Sequence, residues 1–218
     1  MSTGIPAPPV HELVAALLEA SPELDPAGQR LAVAVYRTLA QGDPVDPRVL
    51  VDQTGIPSAE VARALGTWPG VFADDDGRIV GFWGLCLPAT AHRMRVDGHD
   101  LHTWCAWDTL FLAPVLQRTV AVASRCPATG VEVSLTVDPG GVRCVDPAPT
   151  VVSFLRPGRE RADDIITTFC RHVLFLASPD AGRRWLDGRP NGFLLGLDDA
   201  FQLGLRVVRS RFGAALDG

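Results

Sequence analysis

Apolar positions follow two regimes along the chain. From residue 10 to 66 they recur at helical spacing: Leu13, Val14, Leu17 and Leu18 form one stripe, and Leu31, Val35 and Leu39 another. Asp25-Pro26 supplies an N-cap followed by proline at the first helical position, and Gly42 closes that helix. Asp46-Pro47 opens another helix, and Ser58 opens a third after the turn Thr54-Gly55-Ile56-Pro57. Two strands follow over Gly70 to Trp83, joined by the acidic turn Asp74-Asp75-Asp76-Gly77. Helix, turn, helix and then a hairpin is the order of a winged helix.

From Thr90 the period changes to two. His92, Met94 and Val96 alternate with Arg93, Arg95 and Asp97, and Asp97-Gly98 is a strong hairpin turn. The run Trp104 to Leu110 then starts a helix, expected to be amphipathic, toward Leu116. Strands are expected at 119–124, 131–137, 142–146 and 150–156, with turns at Pro127 to Gly130 and Asp138 to Gly141. A short helix near Ala162 to Thr168 leads into Phe169-Cys170-Arg171-His172-Val173 and an apolar run to 177. Ser178-Pro179 starts a helix containing Trp185, and Asp198 is expected to cap a final helix over 199 to 212. The expected fold class is α+β: a winged-helix-like helical module over 1–83, then a mixed core of antiparallel strands and helices over 84–218.

Composition narrows the function. With 218 residues, 47% of them hydrophobic, the chain can bury a sizeable core. Its net charge of -5 opposes a general grip on nucleic acid, and its basic residues are all arginine. The candidate recognition helix, Ala59 to Thr67, carries one basic residue, Arg63, and the wing tip is acidic. DNA is therefore not an expected partner, and the module is expected to pack on the core and cover a site. Met1 to Pro9 lacks a basic stretch, and Val10 to Ala20 is interrupted by His11, Glu12 and Glu19, so neither a signal peptide nor a membrane partner is expected. The expected location is cytoplasmic.

Five cysteines, an odd number at wide spacing, point to free thiols rather than a disulfide framework. No CxxC pair is present, which removes the common structural zinc sites. Cys105 and Asp108 are three residues apart, which on a helix places both on one face. A helix start would favour the Cys105 thiolate, while an ionised Asp108 would oppose it, so the two should titrate as a pair. As an isolated motif, Cys-x-x-Asp is more often a buried cysteine beside a helix-capping aspartate. Cys170 lies where a short helix gives way to an apolar run, and a structural role is the plain reading there too. His172 is a possible ligand, though a histidine flanked by apolar residues is more often core. Cys126 sits in a turn and is expected to pack it; Cys86 and Cys144 lie in strand-like runs and are assigned no chemistry.

Four segments together resemble the alkylmercury lyase (organomercurial lyase, MerB) family. Trp104-Cys105-Ala106-Trp107-Asp108-Thr109-Leu110 is similar to the family's W-C-A-x-D-T-L. Ser124 to Gly130 running into Val133 to Val137 is similar to S-x-C-x-A-T-G…V-S-L-T-V. Phe169-Cys170-Arg171-His172-Val173 with Phe175 to Ser178 is similar to F-C-x-H-V-x-F-F-A-S, and Asp199 to Gly204 to E-A-F-x-L-G. They occur in the family's order. Arg171 stands where some members have a further cysteine, Leu176 replaces a phenylalanine, and Pro127 stiffens the turn after Cys126; these departures bear on pocket shape.

The resemblance implies a catalytic trio: Cys105 and Cys170 as mercury-binding thiols and Asp108 as the proton handler, with Cys126 structural. It implies protonolysis of a carbon–mercury bond, giving hydrocarbon and Hg(II) held by Cys105, Cys170 and Asp108. Soft mercury prefers thiolate, and an acid beside the carbon supplies the proton as the bond breaks. No built-in cofactor is implied. Implied partners are a small organomercurial, low-molecular-weight thiols for turnover and a mercuric reductase. Trp104, Trp107, Leu110, Phe111 and Phe169 would make an apolar berth. Two other readings compete. One is a non-catalytic thiol protein that binds or senses a soft metal, mercury or copper(I), for which Asp108 would be superfluous. The other is a cysteine hydrolase pairing Cys105 with His172, for which no oxyanion-hole motif is evident.

Overall fold

The computed structural model describes residues 6–156 and 165–218. Its N-terminal part is helical: α1 (Val10–Glu19), α2 (Pro26–Leu39), α3 (Pro47–Thr54) and α4 (Ser58–Thr67). The caps read from sequence form. The Asp25 side chain accepts a hydrogen bond from the Gly28 N–H, and that of Asp46 from the Arg48 N–H. Strands β1 (Val71–Ala73) and β2 (Ile79–Phe82) make the hairpin whose acidic tip is closed by Arg78, paired with Asp74 at 2.8 Å.

The hairpin belongs to a larger sheet. β2 pairs with β3 (Leu85–Cys86), and the eight-stranded antiparallel order is β1-β2-β3-β5-β4-β6-β7-β8. Its other members are β4 (His92–Val96), β5 (His99–Thr103), β6 (Val120–Arg125), β7 (Glu132–Asp138) and β8 (Gly141–Asp146). The sheet thus runs unbroken across residues 83–84. A second sheet has the order β10-β9-β11, from β9 (Val151–Leu155), β10 (Phe175–Leu176) and β11 (Gly192–Gly196). The remaining helices are α5 (Asp108–Leu116), α6 (Ile165–Thr168), α7 (Pro179–Leu186) and α8 (Leu197–Phe212). Of the helix expected over 162–168, residues 162–164 lie outside the described residues.

Three expectations are corrected. The helix toward Leu116 is not amphipathic: every residue of α5 is buried, because it lies between the sheet and helices α2 and α8. Cys105 is not on that helix, which begins at Asp108. Asp198 is not the cap of the last helix; Gly196 holds that position, and Asp198 and Asp199 lie in the first turn, where the helix dipole favours them.

α8 reaches α5 because Gly204 has no side chain. A Cβ there would sit 2.8 Å from the Cβ of Phe111 and 3.2 Å from Nε1 of Trp107. The indole N–H of Trp107 donates to the Ala200 carbonyl at 2.9 Å, fixing the ring against α8. The Asp199 to Gly204 segment therefore serves to dock α8 beside the start of α5.

Candidate active site

Two chain crossings build the site. The Ala106 N–H donates to the Val173 carbonyl at 3.0 Å, tying the loop before α5 to the segment after Cys170. That segment is anchored in turn by Ser153 of β9: its hydroxyl donates to the His172 carbonyl at 2.7 Å and accepts from the Leu174 N–H at 3.1 Å. On the other side, the Trp104 N–H donates to the Gly84 carbonyl at 2.9 Å, and the Thr103 hydroxyl to the Cys105 carbonyl at 2.9 Å.

This frame brings Cys105, Asp108 and Cys170 together. One ligand atom from each lies within 4.8 Å of the others, and all three residues are buried. Two thiolates holding one metal ion in line stand about 4.6 Å apart, taking a bond of about 2.3 Å as for zinc–thiolate. The trio therefore has bridging geometry. Asp108 turns back on its own loop: its Oδ2 accepts the Cys105 N–H at 2.8 Å.

Burial sets the electrostatics. It pushes the Asp108 carboxyl up to about 7, although hydrogen bonds from the Cys105 side chain and N–H favour the ionised form. The Cys105 thiol is held well above the usual thiol range, first by burial, then by its hydrogen bond with Cys170 and the neighbouring Asp108 charge. This corrects the expected thiolate at a helix start. The Asp108 backbone N–H does favour the thiolate, but desolvation outweighs it. Cys105 is thus a thiol with a base beside it.

The trio opens on an apolar cleft of about 100 Å³, lined by Asp108 and Cys170 but not by Cys105. Trp104, Trp107, Phe111 and Phe169 line it as expected, whereas Leu110 is fully buried and does not. Leu17, Tyr36, Trp83 and Gly84 close it from the N-terminal side, and Val207, Val208, Arg211 and Phe212 of α8 from the other. Gly84 has φ +101°, and a Cβ there would lie 2.6 Å from both Cγ and Oδ1 of Asp108. Only glycine lets this turn press on the carboxylate.

Among the remaining candidates, His172 stands outside the trio and offers its carbonyl to Ser153. Cys126 is fully buried and closes its turn, its carbonyl accepting the Gly130 N–H at 2.8 Å. The Cys86 thiol is pushed up to about 12 by burial and by the Asp108 charge, and Cys144 is exposed.

Comparison with known proteins decides the lineage. The alkylmercury lyase family model matches residues 85–209. The chain belongs to the alkylmercury lyase family. Similar curated members include the alkylmercury lyase of Staphylococcus epidermidis, 43% identical over 170 residues that cover 78% of this chain and 77% of that one. Those of Streptomyces lividans and Pseudomonas putida are 43% and 41% identical, covering 78% and 81% of their own lengths and 78% and 80% of this chain. A crystal structure described as the mercury-bound form of MerB2 shares the fold, with a TM-score of 0.71 at 24% identity over 92% of this chain and 97% of that one.

Tyr36, Trp83, Gly84 and Arg211 also line the cleft, beyond the residues expected from the sequence. Two signals were present. Trp83-Gly84 is a two-residue connection between apolar runs, and Arg211 continues the buried stripe Gly204, Val207, Val208 of α8 at helical spacing.

Proposed function

We propose that this protein cleaves the carbon–mercury bond of organomercurials by protonolysis, with Cys170 capturing mercury first and Asp108 carrying the Cys105 proton to carbon. The observation that carries the reading is the carboxyl group of Asp108 set against two thiols within mercury-bridging distance. Cys170 faces the cleft and Cys105 does not, so Cys170 exchanges with the carrier thiol of R–Hg–SR′, releasing R′SH. Asp108, poised near neutrality, takes the Cys105 proton, and the second sulfur closes on mercury. Added thiolate donation weakens the carbon–mercury bond. Asp108 returns the proton to carbon, R–H leaves, and Hg(II) stays between the two sulfurs. The cleft's aromatic walls keep water from the developing carbanion.

Two external thiols then remove Hg(II) and restore the cysteine protons. This cycle needs no built-in cofactor. A mercuric reductase is the protein that would take the ion onward, in the cytoplasm, where reduced thiols are plentiful. Residues 1–83 serve as a cover rather than a DNA reader, which the contribution of Leu17, Tyr36 and Trp83 to the cleft supports.

The test is to incubate purified protein with an organomercurial and excess thiol in deuterated buffer and to follow the hydrocarbon. Singly deuterated R–D is expected from wild type and none from Cys105→Ala or Cys170→Ala. Absence of turnover in wild type would overturn the reading, and near-normal release by either variant would remove that residue's role.

A further inference from the structure

Among the described residues, Arg211 is a cation without an anion. It stands in the penultimate position of α8 and lines the cleft together with Asp108 and Cys170. Its guanidinium lies over the Trp83 ring, with the central carbon 3.7 Å from the ring centroid. Nε and Nη2 are both withdrawn from solvent and have no hydrogen-bond partner. No described carboxylate pairs with Arg211. Asp108 spends its Oδ2 on the Cys105 N–H, and the Tyr36 hydroxyl donates to the Trp83 carbonyl at 2.8 Å.

Burying an unpaired cation is costly, and the usual escapes are absent. Arginine does not discharge at neutral pH: burial lowers Arg211 only to about 10. The stack on Trp83 supplies attraction to one face but satisfies no N–H. What stays unsatisfied is a particular edge. The Nε–H and Nη2–H bonds are parallel and form the fork that grips a carboxylate with two hydrogen bonds.

We propose that Arg211 is a specificity-determining residue that gives the apolar cleft a carboxylate-binding end. The carboxylate would be carried into the cleft either on the organic group attached to mercury or on the thiol that delivers it. In the cleft's low dielectric such a pair is strong and directional, and it would orient the delivered compound toward Cys170. This inference rests on the lyase reading for the identity of the delivered compound, though not for the anion site itself.

The test uses two ring compounds of matched shape, 4-mercuribenzoate and 4-tolylmercury. Each is carried by 2-mercaptoethanol or by mercaptoacetate, on wild type, Arg211→Gln and Arg211→Lys. The readout is the ratio of kcat/KM between charged and neutral members, so any loss common to both cancels. The expected fall in that ratio is on the order of 10- to 100-fold in Arg211→Gln, as for charge-assisted hydrogen bonds, with partial recovery in Arg211→Lys. A ratio that moves with the ring places the carboxylate on the organic group; one that moves with the thiol places it on the carrier. An equal loss across all four combinations means that Arg211 is only a structural clamp on Trp83 and overturns the proposal. Should Arg211→Gln fail to fold, wild type decides the matter: benzoate should inhibit competitively and benzamide should not, and equal inhibition is again fatal. Calorimetric binding of benzoate reads the site without turnover. It therefore separates failure of this inference from failure of the lyase reading.

Discussion

Replacing Asp108 with asparagine should remove activity and yet strengthen the fold, by an amount that depends on pH. The side chain is buried, and burial holds its carboxyl near 7 instead of the ordinary 3.8. Asparagine keeps an oxygen that can accept the Cys105 N–H, so the local geometry has a replacement for the 2.8 Å bond. It carries no proton equilibrium. The sign follows from proton binding. Between the unfolded carboxyl value and about 7 the folded state holds a proton that the unfolded state has lost, so the stability of wild type falls as pH rises through that window and levels off above it.

A carboxyl held near 7 rather than near 4 costs the fold roughly 4 kcal/mol once the pH exceeds both values. At pH 5 less than half of that penalty has developed. The stability advantage of Asp108→Asn over wild type should therefore grow by about 3 kcal/mol between pH 5 and pH 8. Urea unfolding of both proteins across that range, with the denaturant slope checked for constancy, measures it. A difference that does not change with pH would mean that Asp108 titrates alike folded and unfolded, and the account of a poised carboxyl would fail. Hydrocarbon release should be lost in the variant at every pH.

Other outcomes test neighbouring parts of the argument. Gly84→Ala drives a Cβ to within 2.6 Å of the Asp108 carboxyl carbon and forces an unfavourable φ; a loss of about 1–3 kcal/mol in stability and a marked drop in kcat are expected from urea melts and steady-state assays. In wild type kcat/KM should fall as pH drops below about 7, because Asp108 must be ionised to take the Cys105 proton, and a flat profile down to pH 5 would contradict that role. Cys144→Ser, at an exposed position, should leave hydrocarbon release unchanged, whereas Cys126→Ser should lower stability by roughly 1–2 kcal/mol, because it places a hydroxyl at a fully buried position. Gly204→Ala should loosen α8 from α5 and shift the thermal midpoint downward, since its Cβ would stand 2.8 Å from that of Phe111.

Local rules made much of the fold legible. Asp25-Pro26, Asp46-Pro47 and Ser178-Pro179 mark helix starts through proline and a capping side chain, and Asp97-Gly98 fixes a hairpin, with both residues at positive φ. These signals are carried by the residue and its nearest neighbours. The errors fall where tertiary burial decides. Nothing local says that α5 is enclosed on every side, or that desolvation at Cys105 outweighs the helix start. Cys105 and Asp108 could be joined by spacing, but the Cys170 pairing depends on the bond from Ala106 N–H to the Val173 carbonyl and on Ser153 of a second sheet. Only a resemblance could bridge that separation beforehand.

The same burial explains why the site draws on both ends of the chain. A carboxyl near 7 and a protonated Cys105 require a dry environment, and residues far from both in sequence line the cleft beside them. Trp83 and Gly84 come from the turn after the N-terminal hairpin, and Val207, Arg211 and Phe212 from the last helix. Gly84 packs against the Asp108 carboxyl, so the turn at residues 83–84 contributes to the desolvation that raises its proton affinity. Opening the cleft to water at that turn would lower the Asp108 pKa toward its ordinary value and weaken its hold on the Cys105 proton. Leu17, Tyr36 and Trp83 line the cleft from within residues 1–83, a contribution to its dryness that no motif centred on Cys105 or Cys170 contains.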